Sequence, residues 1–417
     1  MKAKKHFVIA TLGTSGDILP FIEIGKYLLS TNHNVTFITN PYFEKVVSGN
    51  GLAFTPFGNV EQYLDALNDP ELWNPRTGFR VLWTKTIRPN LHCIRSCIQP
   101  LDSDSETVVL SHPAVMALAN LARADRNNLK IVLFYLYPLI IRSYFRRMGG
   151  VMTLPLSAPK FLKKMLFSLI DSVADAGVVP DLNEERTKLG LAPIQHFFPH
   201  MQNSADLYVT LFPEWYSPAM PDYPQPLVSG DFVLNGSSHD VLSDELTAFL
   251  NAGQPPLLFT AGTGNLHARK FFAVATDVVS KLNARAVFLT RFREQLPPTL
   301  PDSVLWQEYV PLNRVLPCVS VIVHHGGMGT LAEASRAGVP QLVVPGAYDQ
   351  FDNALILKDL GIGESIPMWL LTRRNLLDKL SQIQRSEIIR QSCLNISSKF
   401  SLHLEINQVV DKVLSAI

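Results

Sequence analysis

The 417-residue sequence contains only four cysteines, and its charge is both sparse and balanced: 18% of residues are charged, 37 basic against 36 acidic. Four cysteines in a chain this long make no disulfide framework, and none stands at zinc-ligand spacing. Cys93 and Cys97, four apart, read as two packed side chains on one helix face. A net charge of +1 gives no global field, so no nucleic-acid partner is expected and any membrane contact must come from a local patch. Low charge beside 47% hydrophobic residues excludes a disordered chain. Long hydrophobic runs are also missing. The longest, Ile131 to Ile141, falls well short of a membrane-spanning helix, which needs ~20 residues. The N-terminus, MKAKKHFVIATLG, starts like a secretory leader but meets Gly13, Gly16 and Asp17 in place of a longer apolar region. It reads as a first β-strand, and the chain is expected to be cytoplasmic.

What is present is alternation. HFVIATLG (6–13) is strand-like, ILPFIEIGKYLLS (18–30) has helical spacing, and HNVTFITN (33–40), LAFTPF, TVVLSH and LKIVLFYLY supply further strands between helices. A stretch rich in Pro, Gly and Ser from Phe212 to Asp240 reads as a linker. The alternation then restarts with PLLFTAGTG, RAVFLT, VLWQEYV, VSVIVHHGG and PQLVVPG. The expected fold is α/β, with two Rossmann-like, doubly wound domains facing across a cleft. The first covers 1–225 and the second 240–399, with a helix at about 400–417 returning to the first.

The chemistry concentrates in VSVIVHHGGMGTLAEASRAGVPQLVVPGAYDQFDNA, residues 319–354. A buried strand enters a turn with Gly326, Gly327 and Gly329, and a helix starts near Thr330. Such a turn lets backbone amides approach an anion, and the helix N-terminus adds its positive dipole end. His325 can donate to the same phosphate, and Glu333 can accept from vicinal ribose hydroxyls. Asp349 and Gln350 offer the groups that a sugar's hydroxyls require. A phosphate flanked by ribose and hexose is a nucleotide sugar. Taken singly, each residue is equally at home as turn punctuation, a solvated helix position or a loop.

This segment resembles the donor-binding signature of family 1 glycosyltransferases, which have the GT-B fold. The resemblance implies that His325 contacts the diphosphate, that Gly327, Gly329 and Thr330 cradle it, and that Glu333 holds the ribose. Asp349 with Gln350 would bind the sugar, Tyr309 and Val310 in YVPLNRVLP would lie near the base, and Gly262 with Thr263 in TAGTG would form the turn after the donor domain's first strand. Within the family, TLGTSGDILPFIEIG, DPELWNPRTGFRVLW and LFPEWYSPAMPDYPQPL are similar to bacterial rhamnosyltransferases acting on hydroxyacyl lipids, and more distantly to sterol glucosyltransferases.

The resemblance implies an inverting transfer to an amphiphilic acceptor from UDP-glucose or dTDP-rhamnose, with no cofactor and no metal. Many family members carry a catalytic His in the first loop; here TSGD stands there, so Asp17 takes the role of base. The alternative is that Asp17 caps the helix, in which case Pro20 at N3 lacks an N–H and only Leu19 can donate. His112, ending TVVLSH, is positioned to orient or relay for Asp17, or to serve structurally. Asp102-Ser103-Asp104 spells a metal-binding D-x-D but precedes a strand in a polar loop, and the sequons at Asn235 and Asn395 have no role in a cytosolic chain. Residues 142–166 combine six basic side chains with Phe145, Met148, Phe161, Leu162, Met165 and Leu166 and no acid, suiting peripheral contact at the inner membrane face. The plain alternative is a helix with its apolar face inward. Rival functions are a nucleotide-sugar epimerase, a non-catalytic nucleotide-sugar binder and a dinucleotide oxidoreductase. Neither glycine turn spells G-x-G-x-x-G, which disfavours the last.

Overall fold

Two parallel sheets organise the chain in a computed structural model, which describes residues 4–101, 106–126, 128–147, 153–234 and 241–417. Asp102, Ser103, Asp104, Met148 and Asn235 lie outside the described residues.

The first sheet contains β1 (His6–Ala10), β2 (Asn34–Thr39), β3 (Ala53–Pro56), β4 (Thr107–Ser111), β5 (Lys130–Tyr135), β6 (Leu207–Thr210) and β7 (Leu227–Ser229), in the spatial order β3-β2-β1-β4-β5-β6-β7. The second contains β8 (Leu257–Thr260), β9 (Ala286–Leu289), β10 (Val304–Gln307), β11 (Val321–His324), β12 (Gln341–Val343) and β13 (Gly363–Ser365), in the order β10-β9-β8-β11-β12-β13. Central strands such as β5 are buried from Ile131 to Tyr135, as parallel strands covered by helices on both faces must be.

In both sheets the strand order reverses beside the first strand, between β1 and β4 and between β8 and β11. At such a reversal the connecting helices leave toward opposite faces and open a crevice beyond the strands' carboxyl ends. The register pairs Ala10 with Ser111 and Thr260 with His324, so each crevice is lined by two loops that leave the sheet at one level.

Helix α1 (Ser15–Ser30) follows β1 directly. Thr14 is its N-cap. A left-handed residue, Asn32, closes the turn after it, as at many helix C-termini. The Pro-rich stretch is more than a linker. β7 extends the first sheet to Ser229, past the expected boundary at 225, and Phe212, Tyr216, Tyr223 and Phe232 are buried within the core. Aromatic burial outweighs the local turn signals there. Residues 78–90 wind as three consecutive short helical pieces of changing pitch, Gly78–Leu82, Trp83–Ile87 and Arg88–Asn90. The other helices that bear on the site are α2 (Lys160–Lys188), α3 (Met328–Arg336), α4 (Gln350–Asp359) and α5 (Ile406–Ala416). The last returns to the first domain, burying Val409, Val410 and Val413 against its core and accepting a 2.8 Å hydrogen bond from Tyr27 at Asp411. No helix among the described residues is long and apolar enough to cross a membrane.

Candidate active site

The β1–α1 and β4 loops bring Asp17 and His112 together at the first sheet's reversal point. Asp17 is not the N-cap of α1; it is the third helical residue. Its Oδ2 reaches back to accept from the Thr14 backbone N–H at 2.7 Å and the Thr14 hydroxyl at 3.3 Å. The objection from Pro20 therefore never arises, because the capping runs through Thr14. Gly13 permits this. Its φ is positive, and a Cβ there would lie 2.2 Å from Asp17 Oδ2. Only glycine combines that backbone with that clearance.

The other oxygen, Oδ1, stands 3.6 Å from His112 Nε2. His112 Nδ1 accepts from the Ala114 backbone N–H at 3.2 Å. In the neutral ring the proton therefore sits on Nε2 and faces the carboxylate. The Asp17 side chain is 24% exposed and that of His112 4%. Asp17 is thus the group open to the cleft, and His112 stands behind it.

The donor half is built at the second reversal point. His324, fully buried at the end of β11, is the structural member of the pair. Its Nε2 meets Gln341 Oε1 at 3.0 Å and its Nδ1 accepts from the Gly326 N–H at 3.2 Å, fixing the glycine turn. Burial pushes its pKa down to about 3, so it stays neutral. His325 turns the other way, with its ring between Gly262 and Gly327. A Cβ on either glycine would approach His325 ring atoms to 2.7 or 2.4 Å. Burial drives His325 down to about 4, and its Nδ1 has no hydrogen-bond partner. A neutral imidazole with an unsatisfied nitrogen beside a glycine turn and a helix N-terminus is suited to receive an anion. Gly327 is the N-cap of α3, Gly329 and Thr330 lie in its first turn with open space beside Gly329, and Thr263 is exposed in the loop after β8.

Asp349 and Gln350 begin α4. Burial, then the charge of Asp17, raises the Asp349 carboxyl to about 7. The side-chain oxygen of Gln350 is occupied by its own loop, accepting from the N–H groups of Gly346 at 2.8 Å and Ala347 at 3.1 Å. Glu333 is buried and bonded to Arg336 at 2.5 Å. Val310 is packed in the core, leaving Tyr309 as the exposed side chain of its pair.

Asn353 is a site residue that the sequence reading passed over. Fully buried, it donates to Asp349 Oδ2 at 2.6 Å and to the Gly326 carbonyl at 2.9 Å, and its Oδ1 accepts from the Tyr216 hydroxyl at 2.9 Å. Its position one helical turn after Asp349 was the available signal.

The two halves meet at this site. The Tyr348 hydroxyl donates to the Leu72 carbonyl at 2.6 Å, the Trp73 ring packs edge-on to Tyr348, and Gly264 lies so close to Thr14 that a Cβ would meet its methyl at 2.6 Å.

The basic segment 142–166 is largely spent on internal bonds. Arg142 pairs with Asp171 at 2.6 Å, Arg146 with Asp352, and Arg147 with Asp359 at 2.8 Å, while Lys163 is buried. Its following helix also reverses the plain expectation, since apolar side chains of α2 face outward.

Comparison with known proteins agrees with this fold. The chain matches the model of the glycosyltransferase family 28 N-terminal domain over residues 7–96. It matches that of the erythromycin biosynthesis protein CIII-like C-terminal domain over residues 273–412. A sterol 3-beta-glucosyltransferase of Yarrowia lipolytica is 26% identical over 87% of this chain, and one of Arabidopsis thaliana is 24% identical over 92%. The chain spans about a quarter of the Yarrowia protein (25%) and 63% of the Arabidopsis one. Among solved structures, the kitacinnamycin glycosyltransferase superposes with a TM-score of 0.73 at 17% identity, covering 99% of both chains. The glycosyltransferase VinC, solved with dTDP, gives 0.67 at 19% identity, covering 99% of both. By its two matched domains and its fold, the chain has the GT-B architecture and is similar in sequence to glycosyltransferases, the sterol glucosyltransferases among them.

Proposed function

We propose that the chain is an inverting, metal-independent glycosyltransferase. It moves a hexose from a nucleoside diphosphate sugar, of UDP-glucose or dTDP-rhamnose type, to a hydroxyl of an amphiphilic, lipid-like acceptor. The observation that carries this reading is the pairing of Asp17, open to the cleft and backed by His112, with the unsatisfied His325 and its glycine turn on the facing domain.

Asp17 Oδ1 accepts the acceptor hydroxyl's proton as that oxygen bonds to the anomeric carbon. The bond from that carbon to the diphosphate oxygen breaks on the opposite face. Charge gathering on the leaving diphosphate is met by His325, Thr263 and the amides from Gly327 to Thr330, which supply the electrostatic stabilisation otherwise drawn from a metal. Asp349 and Gln350 hold the sugar in line. His112 keeps Asp17 oriented by pointing its Nε2–H at it.

Glu333 supports UDP-glucose over a deoxythymidine donor, because a carboxylate bonding two ribose hydroxyls matches uridine. The dTDP bound to VinC supports the other choice. The relatives named for sterol glucosylation support a lipid-like acceptor, met peripherally at a membrane surface.

The test is turnover of UDP-glucose and dTDP-rhamnose against sterols and hydroxyacyl lipids in excess EDTA, with the product's anomeric configuration read by NMR. Acceptor-dependent release of nucleoside diphosphate with inversion is the expected result. Retention of configuration, a divalent-metal requirement, or sugar isomerisation without acceptor would each overturn the reading.

A further inference from the structure

Helix α2 buries two charged side chains, Lys163 and Asp171, beside Leu166, Val178 and Leu182. Lys163 is fully buried, and its ammonium donates to the carbonyls of Tyr144 at 2.9 Å, Arg146 at 2.8 Å and Leu156 at 3.3 Å. Asp171, two turns on, is buried beside Arg142. The outer face carries Phe161, Met165, Leu169 and Val173 at successive i,i+4 positions, exposed by 62%, 65%, 58% and 69%. Leu162 and Ile170 widen the stripe, and exposed Leu156 precedes it. Surface helices turn such a stripe toward the core, and a contiguous exposed apolar patch marks an interaction site.

Charge selects the occupant. From Thr153 to Ile170 there is no acidic residue, and the exposed charges are Lys160 and Lys164. A second copy placed face to face brings these lysines no acidic partner from the same stretch. An anionic bilayer takes the apolar stripe among its acyl chains and the two ammonium groups at its phosphates. From Phe161 to Val173 the stripe is ~18 Å long, the geometry of a helix lying in the plane of the interface.

Its position also fits. The segment leading into α2 is tied to α4 of the donor domain by Arg146–Asp352 and Arg147–Asp359, and α4 begins beside Asp349. Lys163 in turn bonds the Arg146 carbonyl, so the helix that bears the stripe is joined to the segment that contacts the donor domain.

We propose that the outer face of α2 docks on an anionic lipid bilayer, so that an amphiphilic acceptor reaches Asp17 directly from the membrane. The choice of a bilayer rests in part on the proposed lipid-like acceptor, and the experiment separates the two. Flotation is measured with vesicles of phosphatidylcholine alone and of phosphatidylcholine mixed with phosphatidylglycerol. The wild-type chain should float with the mixed vesicles, and Phe161→Ser/Met165→Ser/Leu169→Ser should lose about tenfold in partitioning, with its thermal shift on adding UDP or dTDP unchanged. Should that variant fail to fold, Lys160→Glu/Lys164→Glu must weaken flotation with the mixed vesicles; unchanged flotation overturns the proposal. So does a wild type that stays with neither vesicle, or a dimer by light scattering that the triple variant splits. Flotation without any sugar transfer would count against the transferase reading and leave the docking surface standing.

Discussion

Asp17 and His112 face one another across the reversal point of the first sheet, Oδ1 to Nε2 at 3.6 Å, with the acid exposed to the cleft and the imidazole buried behind it. The hydrogen bond from Ala114 to Nδ1 decides the roles, because it leaves His112 a donor toward Asp17. Asp17→Asn retains an oxygen to accept from Thr14 and should fold normally, but lose about 10²–10⁴-fold in kcat. Its KM for the nucleotide sugar should change little. His112→Ala should lose less, and His112→Gln, which keeps a donor, should recover part of that loss. Steady-state kinetics on the three variants checks this, and an Asp17→Asn enzyme with full kcat removes Asp17 as the base.

Gly13 should be as intolerant as the residue it accommodates. Gly13→Ala places a methyl into the space of Asp17 Oδ2 and forces alanine to a positive φ. A loss of ~1–3 kcal/mol in stability is expected, together with displacement of the carboxylate. Urea denaturation reads the first, and a fall in kcat larger than that of neighbouring Gly16→Ala reads the second.

Asn353 links three elements through one buried amide. Asn353→Leu leaves the Gly326 carbonyl and the Tyr216 hydroxyl without that partner. Each group left unpaired should cost ~1–3 kcal/mol. Because Gly326 belongs to the diphosphate turn, nucleotide affinity should fall as well, by about tenfold. Calorimetric titration with UDP and dTDP at a temperature where the variant is folded separates the two effects.

Two groups of the donor site make different properties depend on pH, one stability and the other affinity. The Asp349 carboxyl, raised to about 7, keeps a proton in the folded chain that the unfolded chain releases near its ordinary value of 3.8. Between those values the folded state binds more protons, so this group's contribution to stability falls as pH rises. Asp349→Asn should therefore be more stable than wild type at pH 8, by about 1–2 kcal/mol after allowing for solvent screening, and equal near pH 4. Thermal melts across that range give the answer.

His325 is held neutral by burial, at about 4. An incoming diphosphate favours its protonated form, so binding takes up a proton and affinity for UDP-glucose should rise as pH falls from 7 toward 5. The pyrophosphate diester of UDP-glucose does not itself titrate there, which isolates the protein's share. His325→Gln should flatten the slope and weaken binding by ~1.5–3 kcal/mol. A wild-type affinity independent of pH would show that His325 stays neutral when the diphosphate is bound.

The alternation of short β-branched runs with amphipathic ones determined, by itself, that the chain folds as two parallel-sheet halves, because each pattern can bury its apolar atoms in only one kind of element. It also placed Asp17, His112 and His325 at the ends of strands, where a ligand crevice opens. Alternation alone does not choose between His324 and His325; the resemblance named His325, and the physical difference lies in the Gln341 amide that holds His324 and the pinch of Gly262 against Gly327 around His325. Nor does alternation single out Asn353, whose three partners come from α4, the glycine turn and a segment that local composition marks as linker. In α2 the sequence left two readings open, an apolar face turned to a membrane or one packed inward. The carbonyls of Tyr144, Arg146 and Leu156 receive Lys163 and the Arg142 guanidinium receives Asp171, and the apolar stripe is left outward. A polar group's direction is set by the partners that tertiary structure brings within hydrogen-bond reach, and those partners are distant in the chain.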